Sequence, residues 1–317
     1  SLEPSQQPTT CGGGSGAVQA VPTINDFDSD FKFEQNMKLS LGVDHRLPWG
    51  MVGTIDLLYT KTQNSLYIQD NNLQGVVDES TLTYATGEGN RARYGVNSPT
   101  TGSATPLKQT AAFGNVLEHR NKSDDYAFNG TIQLQKRFSN GLEFNGGYTY
   151  SEAKDVMSLT SSIAFSNYGF ATLNGLLNDR ELTTSTFSRP HRVVLSGTVN
   201  LPADFEFSLI YSGVSGSPYG YVINGDANAD GVGGTNREFN DMVYVPRDRD
   251  DISMFGATTA AQDAAYDSLA TFIADQSCLR NQRGQIMERN SCRNPWINRL
   301  DARLQKLVPT FAGQTMI

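Results

Sequence analysis

Strict alternation of apolar and polar side chains runs through residues 126–151. The apolar positions of the first half are Tyr126, Phe128, Ile132, Leu134 and Phe138. After Ser139-Asn140-Gly141 the pattern restarts, with apolar positions Leu142, Phe144, Tyr148 and Tyr150. Because successive side chains of a strand point to opposite faces, this pattern predicts a β-hairpin with one apolar and one polar face. The Asn-Gly pair favours the positive φ values of a tight turn.

The same alternation recurs along the chain and predicts seven strands, at 31–47, 51–69, 126–138, 142–151, 191–201, 205–212 and 296–308. Their connections alternate in length. Short turns are predicted at 47–50, 138–141, 201–204 and 309–314, and long polar segments at 70–120, 154–187 and 217–295. Structureless connections of this length are uncommon in compact soluble domains. Tight periplasmic turns opposite long extracellular loops are typical of outer-membrane barrels.

The polar face of the predicted strands carries Arg, Glu, Asp and Gln on successive strands, which indicates contact with water or a polar filling. No second apolar sheet remains to cover the apolar face, so we expect that face to contact outer-membrane lipid. The prediction is an all-β fold, a transmembrane antiparallel β-barrel in the bacterial outer membrane. A soluble two-sheet sandwich is the alternative, since a mean hydropathy of −0.40 with 30 Gly, 13 Tyr and 16 Phe suits both.

Residues 1–30 are predicted to be the end of an extracellular loop, and residues 31–317 a barrel segment with extracellular loops at 70–120, 154–187 and 217–295. Seven strands and the start of an eighth are not expected to close a barrel by themselves. We therefore expect a portion of a larger barrel, whose remaining strands are partners of this segment. A net charge of −8 argues against nucleic acid as a partner, because such binding needs clustered Lys and Arg.

An acidic motif, GDANADGVGG, occupies residues 225–234. Alternating oxygen-bearing side chains followed by a glycine form the first half of a calcium loop. The predicted ligands are Asp226, Asn228, Asp230, the Val232 carbonyl and Asp241. The second half departs from the EF-hand, because Arg237 stands at the twelfth position, with Glu238 next to it. A structural calcium ion is therefore one interpretation, and an Asx-turn loop without an ion is the other.

Two further features fall within 217–295. Residues 258–276 predict a short amphipathic helix that packs in the loop, with Thr259 as its cap. Cys278 and Cys292 bracket the next segment and are candidates for a disulfide in an oxidising setting, with free thiols as the alternative. The third cysteine, Cys11, has no predicted partner.

Catalytic motifs are not found in the sequence, so we expect no enzyme activity. The three histidines are His45, His119 and His191, and none stands in a nucleophile motif. A hydrolase would need a Ser/His pair on neighbouring strands, for which His191 with Ser188 or Ser196 is the candidate.

Ser188-Arg189-Pro190-His191-Arg192 stands at the start of a predicted strand. This motif resembles a strand start of TonB-dependent outer-membrane receptors. The segments 225–231 and 240–246 resemble the Oar-like branch, whose members carry a carboxypeptidase-regulatory-like domain. Further short motifs also resemble the Oar-like branch: Cys278-Leu279-Arg280, Arg283-Gly284, Arg289-Asn290-Ser291, Asn294-Pro295-Trp296 and Leu300-Asp301 with Arg303.

The resemblance implies a barrel of about 22 strands with an internal plug, which moves or binds a large extracellular ligand using energy from the TonB complex. The plug and the TonB-contacting segment are not recognised in this chain, so transport would belong to the parent protein. No siderophore, cobalamin, glycan or peptide motif identifies the ligand. The alternative function is a surface-binding or adhesive barrel that does not transport.

Overall fold

A computed structural model describes residues 21–76, 91–97, 104–173, 175–233, 239–252, 254, 256–306, 308–309 and 315–316. In chain order its strands are β1 (Ile24–Phe27), β2 (Gln35–Leu47), β3 (Met51–Gln63), β4 (Ser65–Asp70), β5 (Gly95–Asn97), β6 (Ala104–Pro106), β7 (Val116–Lys122), β8 (Tyr126–Arg137), β9 (Leu142–Asp155), β10 (Thr183–Thr184), β11 (His191–Leu201), β12 (Phe205–Val214), β13 (Pro218–Tyr219), β14 (Tyr244–Val245), β15 (Gln285–Ile286), β16 (Cys292–Arg293), β17 (Ile297–Lys306), β18 (Val308–Pro309) and β19 (Thr315–Met316). The helices are α1 (Ala164–Phe170), α2 (Thr259–Asp275) and α3 (Ser277–Arg280), with 3-10 turns at Pro48–Gly50 and Arg249–Asp251.

The long strands form one antiparallel meander, which we call the wall. Its order is β17-β12-β11-β9-β8-β3-β2, so each strand pairs with its neighbours in the sequence of long strands. Within the described residues its outer strands, β2 and β17, do not pair with each other, so the sheet is open. The prediction of seven long strands is confirmed, and the open sheet is consistent with a portion of a barrel.

The short turns use left-handed backbone in different ways. In the 138–141 turn Gly141 has a positive φ of 79°, whereas Asn140 does not. The positive φ predicted for the Asn-Gly pair is therefore found at the glycine alone. Non-glycine residues also have a positive φ in two turns: Trp49 (62°) in the 47–50 turn, and Ala203 (61°) and Asp204 (60°) in the 201–204 turn.

The predicted strand at 51–69 is two strands in the structure, β3 and β4. The 51–69 pattern breaks at Asn64, whose φ is 56°, and the following β4 leaves the wall. It joins β1 and β7 in a separate three-stranded sheet. The six residues 60–65 are all polar, and the apolar positions change from odd (Ile55, Leu57, Tyr59) to even (Leu66, Ile68) across them, which is the sequence signal of the change of sheet.

The two faces of the wall differ as predicted. One face exposes apolar side chains across its width, among them Leu39 (67%), Leu41 (62%), Ile132 (53%), Leu300 (65%) and Leu304 (65%). On the other face, hydroxyl groups bridge neighbouring strands: Thr131 with Thr149 and Thr198 with Ser208, each at 3.0 Å between oxygens. Exposed apolar side chains on this scale are what a lipid-facing wall requires.

We call β1 together with the described residues of the segments 64–125, 156–190 and 215–296 the loop layer. Every buried hydrophobic residue of the described chain lies in this layer. One cluster draws on all three segments, including Ile68, Leu117, Tyr168, Leu177 and Val232. A second, within the last segment, includes Met242, Val245, Ile273, Leu279 and Met287. The long connections are therefore folded structure with cores of their own.

Candidate functional site

The acidic motif folds as a tight turn around its own carboxylates. The Asp226 carboxylate accepts hydrogen bonds from the backbone N–H of Asp230 at 3.0 Å and of Gly231 at 2.9 Å. The Asn228 side-chain oxygen also accepts from the Asp230 N–H, at 3.0 Å. Gly231 takes a φ of 88°, which an L side chain rarely adopts. These contacts draw the side chains of the first half of the motif together.

Burial makes the negative charge of this turn costly. Asn228, Asp230 and Asp241 are each at most 1% exposed. Burial and, to a smaller extent, the nearby Asp241 carboxylate raise the pKa of Asp226 to about 6. Burial likewise raises the pKa of Asp230 to about 7, with further contributions from the Asp226 and Asp241 carboxylates. The turn is thus a buried, electronegative spot within the loop layer.

Asp241 anchors the acidic turn. Its Oδ2 accepts from the backbone N–H of Ala227 at 2.7 Å and of Asn228 at 3.1 Å. Its Oδ1 pairs with the Arg91 guanidinium at 3.3 Å, with both side chains almost fully buried. Arg91 also donates to the Met242 carbonyl at 2.6 Å. Asp241 therefore links the acidic turn to a segment 150 residues away, and its role as a calcium ligand stays a prediction.

Asn240 was not among the predicted ligands. It is fully buried, its Nδ2 donates to Asp230 Oδ2 at 2.7 Å, and its Oδ1 has no hydrogen-bond partner. The sequence signal was a polar residue beside Asp241, which alternation alone does not distinguish from a solvated loop residue. Val232 places its side chain in the first hydrophobic cluster and donates its N–H to Asp230 at 2.8 Å.

In the described residues, no group of three or more His, Cys, Asp or Glu side chains is arranged to hold a metal ion. Any cation at the acidic turn must therefore also use amide or carbonyl oxygens. Arg237 and Glu238, the residues at which the EF-hand pattern departs, lie outside the described residues.

A disulfide joins Cys278 and Cys292, with 5.1 Å between their Cα atoms. The segment that it closes is tied to the wall by the buried Arg289, whose guanidinium contacts Asp155 Oδ1 at 2.7 Å and donates to Thr183 Oγ1 at 2.7 Å. Its neighbour Asn290 donates to the Thr184 carbonyl at 2.7 Å. Cys11 lies outside the described residues.

Aromatic rings collect at the end of the wall that adjoins the loop layer. His191 stacks against Trp296 with 6.2 Å between ring centroids, and Tyr148 lies 2.8 Å from His191 Nδ1. Tyr59 stacks with Tyr126 at 6.3 Å further along the same edge. Such girdles mark the membrane interface of outer-membrane barrels.

The three histidines have separate surroundings. The His191 ring is engaged by Tyr148 and Trp296, while its backbone N–H donates to Ser215 Oγ at 3.0 Å. His119 lies in β7 with Nδ1 at 2.9 Å from the Asp26 carbonyl, and His45 lies in β2 of the wall.

The fold and its surfaces agree with the family comparison. A family model described as an outer membrane beta barrel domain matches residues 2–317. The chain belongs to this family. The barrel domain accordingly lies in the bacterial outer membrane, where the apolar face of the wall contacts lipid. No helix of its described residues is long and apolar enough to cross a membrane.

Among solved structures, the barrel domain is similar to the outer membrane transporter YddB from Escherichia coli, with a TM-score of 0.41 and 11% sequence identity. The similarity covers 71% of this chain and 26% of that one, so the chain spans about a quarter of the transporter's length. No curated protein sequence matches.

Proposed function

We propose that the barrel domain is the wall and loop portion of a TonB-dependent receptor of the Oar-like type, and that its loop layer captures an extracellular ligand. The observation that carries the proposal is the joint core of the loop layer, to which Leu117, Tyr168 and Val232 contribute from three different segments. A fixed surface at one end of a wide barrel is suited to hold a ligand before uptake. The motif resemblance at 188–192, 225–231 and 240–246 supports the receptor type.

The buried ion pairs support the same proposal. Arg91–Asp241 joins the first and third segments, and Arg289–Asp155 joins the third segment to the end of β9. Because these guanidinium groups have fixed acceptors, the segments are held in one arrangement. The polar inner face of the wall is suited to a water-filled or plug-filled interior. The proposal assigns no catalytic step to this chain.

The test is the isolation of the protein from outer-membrane fractions, followed by intact-mass measurement and binding to an immobilised periplasmic domain of TonB. The proposal predicts a species much heavier than 34.6 kDa that includes a plug domain and is retained on the TonB domain. Serum albumin in the same detergent serves as the control for retention.

The competing function is binding at the cell surface without transport. It is favoured by the loop layer's second cluster, whose buried residues and packed neighbours all lie within residues 219–292, with no contribution from the wall. A heat-resistant species of 34.6 kDa that is not retained on the TonB domain would contradict the receptor proposal and leave surface binding as the function.

A further inference from the structure

The acidic turn has the local order of an ion-binding loop. The first carboxylate, Asp226, is held by backbone N–H groups four and five residues further on, which bends the chain around it. The side chains of Asn228 and Asp230 follow at intervals of two residues and are buried beside each other, with Asn228 Nδ2 3.2 Å from Asp230 Oδ2. The turn thus presents carboxylate and amide oxygens, which are the ligands that Ca²⁺ prefers.

The charge of this turn is only partly balanced by side chains, because the buried Arg180 guanidinium interacts electrostatically with Asp230 without forming an ion pair. Arg91 pairs with Asp241, but no Lys, Arg or His of the described residues forms an ion pair with Asp226 or Asp230. Both carboxylates accept hydrogen bonds from N–H groups, but neither has an ion-pair partner, and a buried charge such as that of Asp230 is costly without one. A bound cation would offset this cost.

An independent observation comes from Asn240. Its amide is fully buried against Asp230, yet its Oδ1 accepts no hydrogen bond. Buried acceptors normally have a donor or an ion as partner. A half-turn of the amide exchanges Oδ1 and Nδ2, because these atoms occupy equivalent positions. That half-turn would direct the unused oxygen to the place beside Asp230.

We propose that the acidic turn binds one Ca²⁺ ion through the side chains of Asp226, Asn228, Asp230 and Asn240 and the carbonyl oxygen of Val232. This set adds Asn240 to the residues that the motif suggested, while Asp241 braces the turn from outside. Water completes the six to eight ligands that Ca²⁺ takes. Mixed carboxylate, amide and carbonyl ligands favour Ca²⁺ over Mg²⁺, which requires a stricter octahedron and releases its water reluctantly.

The position of the site gives the ion a structural role. The Asn228 carbonyl accepts from the Tyr94 N–H at 2.8 Å, and the Asn240 carbonyl accepts from the Leu173 N–H at 2.6 Å. Tyr94 and Leu173 both belong to the first hydrophobic cluster but to different segments of the loop layer. The ion would therefore stabilise the place where the three segments meet. This role does not depend on TonB or on transport.

The test is a calorimetric titration of the detergent-purified protein with CaCl₂, after treatment with EDTA and dialysis. We expect binding near one ion per chain, and an affinity for MgCl₂ at least about tenfold lower. Asp230→Asn keeps the side-chain shape but removes one charge, and should weaken Ca²⁺ binding at least about tenfold. Asp267→Asn is the matched control, because Asp267 is an exposed acid of α2 in the same segment. Its Ca²⁺ affinity should equal that of the wild type.

Two results would overturn the proposal: a wild-type protein that binds no Ca²⁺ at millimolar concentration, or an Asp230→Asn variant that binds as tightly as the wild type. If that variant does not fold, the wild-type titration still decides whether an ion binds. Asn240→Ala then tests the location, since removal of its oxygen should weaken binding while a role confined to packing would leave the Ca²⁺ affinity unchanged. Neither result bears on retention by the TonB domain.

Discussion

The wall and the loop layer hold their structure by different means. The wall is a meander of long strands stabilised by backbone pairing, and it contains none of the buried hydrophobic residues of the described chain. The loop layer has short strands and helices but contains both hydrophobic clusters, a disulfide and the buried Arg91–Asp241 ion pair, while Arg289–Asp155 joins it to the wall. The wall depends on lipid to cover its apolar face, whereas the loop layer covers its own. Their responses to substitution should therefore differ.

The largest effect is expected at Arg289. Its guanidinium is 5% exposed and pairs with Asp155. Arg289→Ala therefore leaves a largely buried carboxylate with the Ser158 hydroxyl as its remaining side-chain donor and no positive charge beside it. We expect a loss of about 3–5 kcal/mol in the free energy that holds the loop layer to β9. Hydrogen exchange of the 175–190 and 285–293 peptides measures it.

The control for Arg289 is Arg299→Ala in β17. Arg299 and its partner Asp301 are 74% and 50% exposed, so that loss should be about 0–1 kcal/mol. Equal effects at the two positions would show that burial of the ion pair is not what fixes the loop layer.

The next largest effect is expected from a substitution that creates a cavity in the first hydrophobic cluster. Leu177 is fully buried, and Leu177→Ala should cost the loop layer about 2–5 kcal/mol through lost contacts and an unfilled cavity. Limited proteolysis of the protein in detergent should show faster cleavage in the loop layer. Leu176→Ala is the matched control, because the neighbouring Leu176 is 46% exposed. Equal cleavage rates for the two variants would contradict a packed core.

The disulfide should contribute less to the stability of the loop layer than the buried ion pair at Arg289. Cys278 and Cys292 are 14 residues apart, and a closed loop of this size stabilises by about 3 kcal/mol when its chain entropy is reduced. The double variant Cys278→Ser/Cys292→Ser should raise hydrogen exchange in α3 and β16 but not in the wall. Added reductant should reproduce the effect in the wild type and change nothing in the variant. Exchange that rises in the wall as well would show that the two regions are not independent.

A charge on the lipid face tests the wall itself. Leu41 lies in the middle of β2 and is 62% exposed, so Leu41→Arg places a guanidinium in the bilayer and should cost about 2–4 kcal/mol. Ser40→Arg, one residue earlier, directs the same side chain to the polar face and should cost little. Denaturant titration of protein folded into phospholipid vesicles compares them. A larger loss at Ser40 would reverse the assignment of the two faces.

Sequence reasoning succeeded in the wall and fell short in the loop layer for the same physical reason. A strand's period of two is local, so β8, β9 and β11 were readable from adjacent residues. The loop layer depends on partners far apart in sequence, such as Arg91 with Asp241. The residues next to Arg91 and Asp241 in the sequence do not indicate that these two side chains pair. In a loop rich in polar residues, the sequence also does not indicate which polar side chains are buried. Of the candidate ion site, the turn at 226–231 was predictable, whereas the unpaired oxygen of Asn240 appears only in three dimensions.

The smallest effect concerns the start of α2, where the predicted cap was one residue late. The structure makes Thr258 the cap: its Oγ1 accepts from the Ala261 N–H at 3.3 Å, while Thr259 is the first helical residue and is exposed. Thr258→Ala should therefore destabilise the first turn of α2 by about 1 kcal/mol, and Thr259→Ala should have almost no effect. Hydrogen exchange of the amides at 260–263 measures both variants. If Thr259→Ala produced the larger increase, the helix would begin one residue later than the structure places it. Because α2 contributes Ile273 to the second cluster, we expect the rest of the helix to stay protected in either variant.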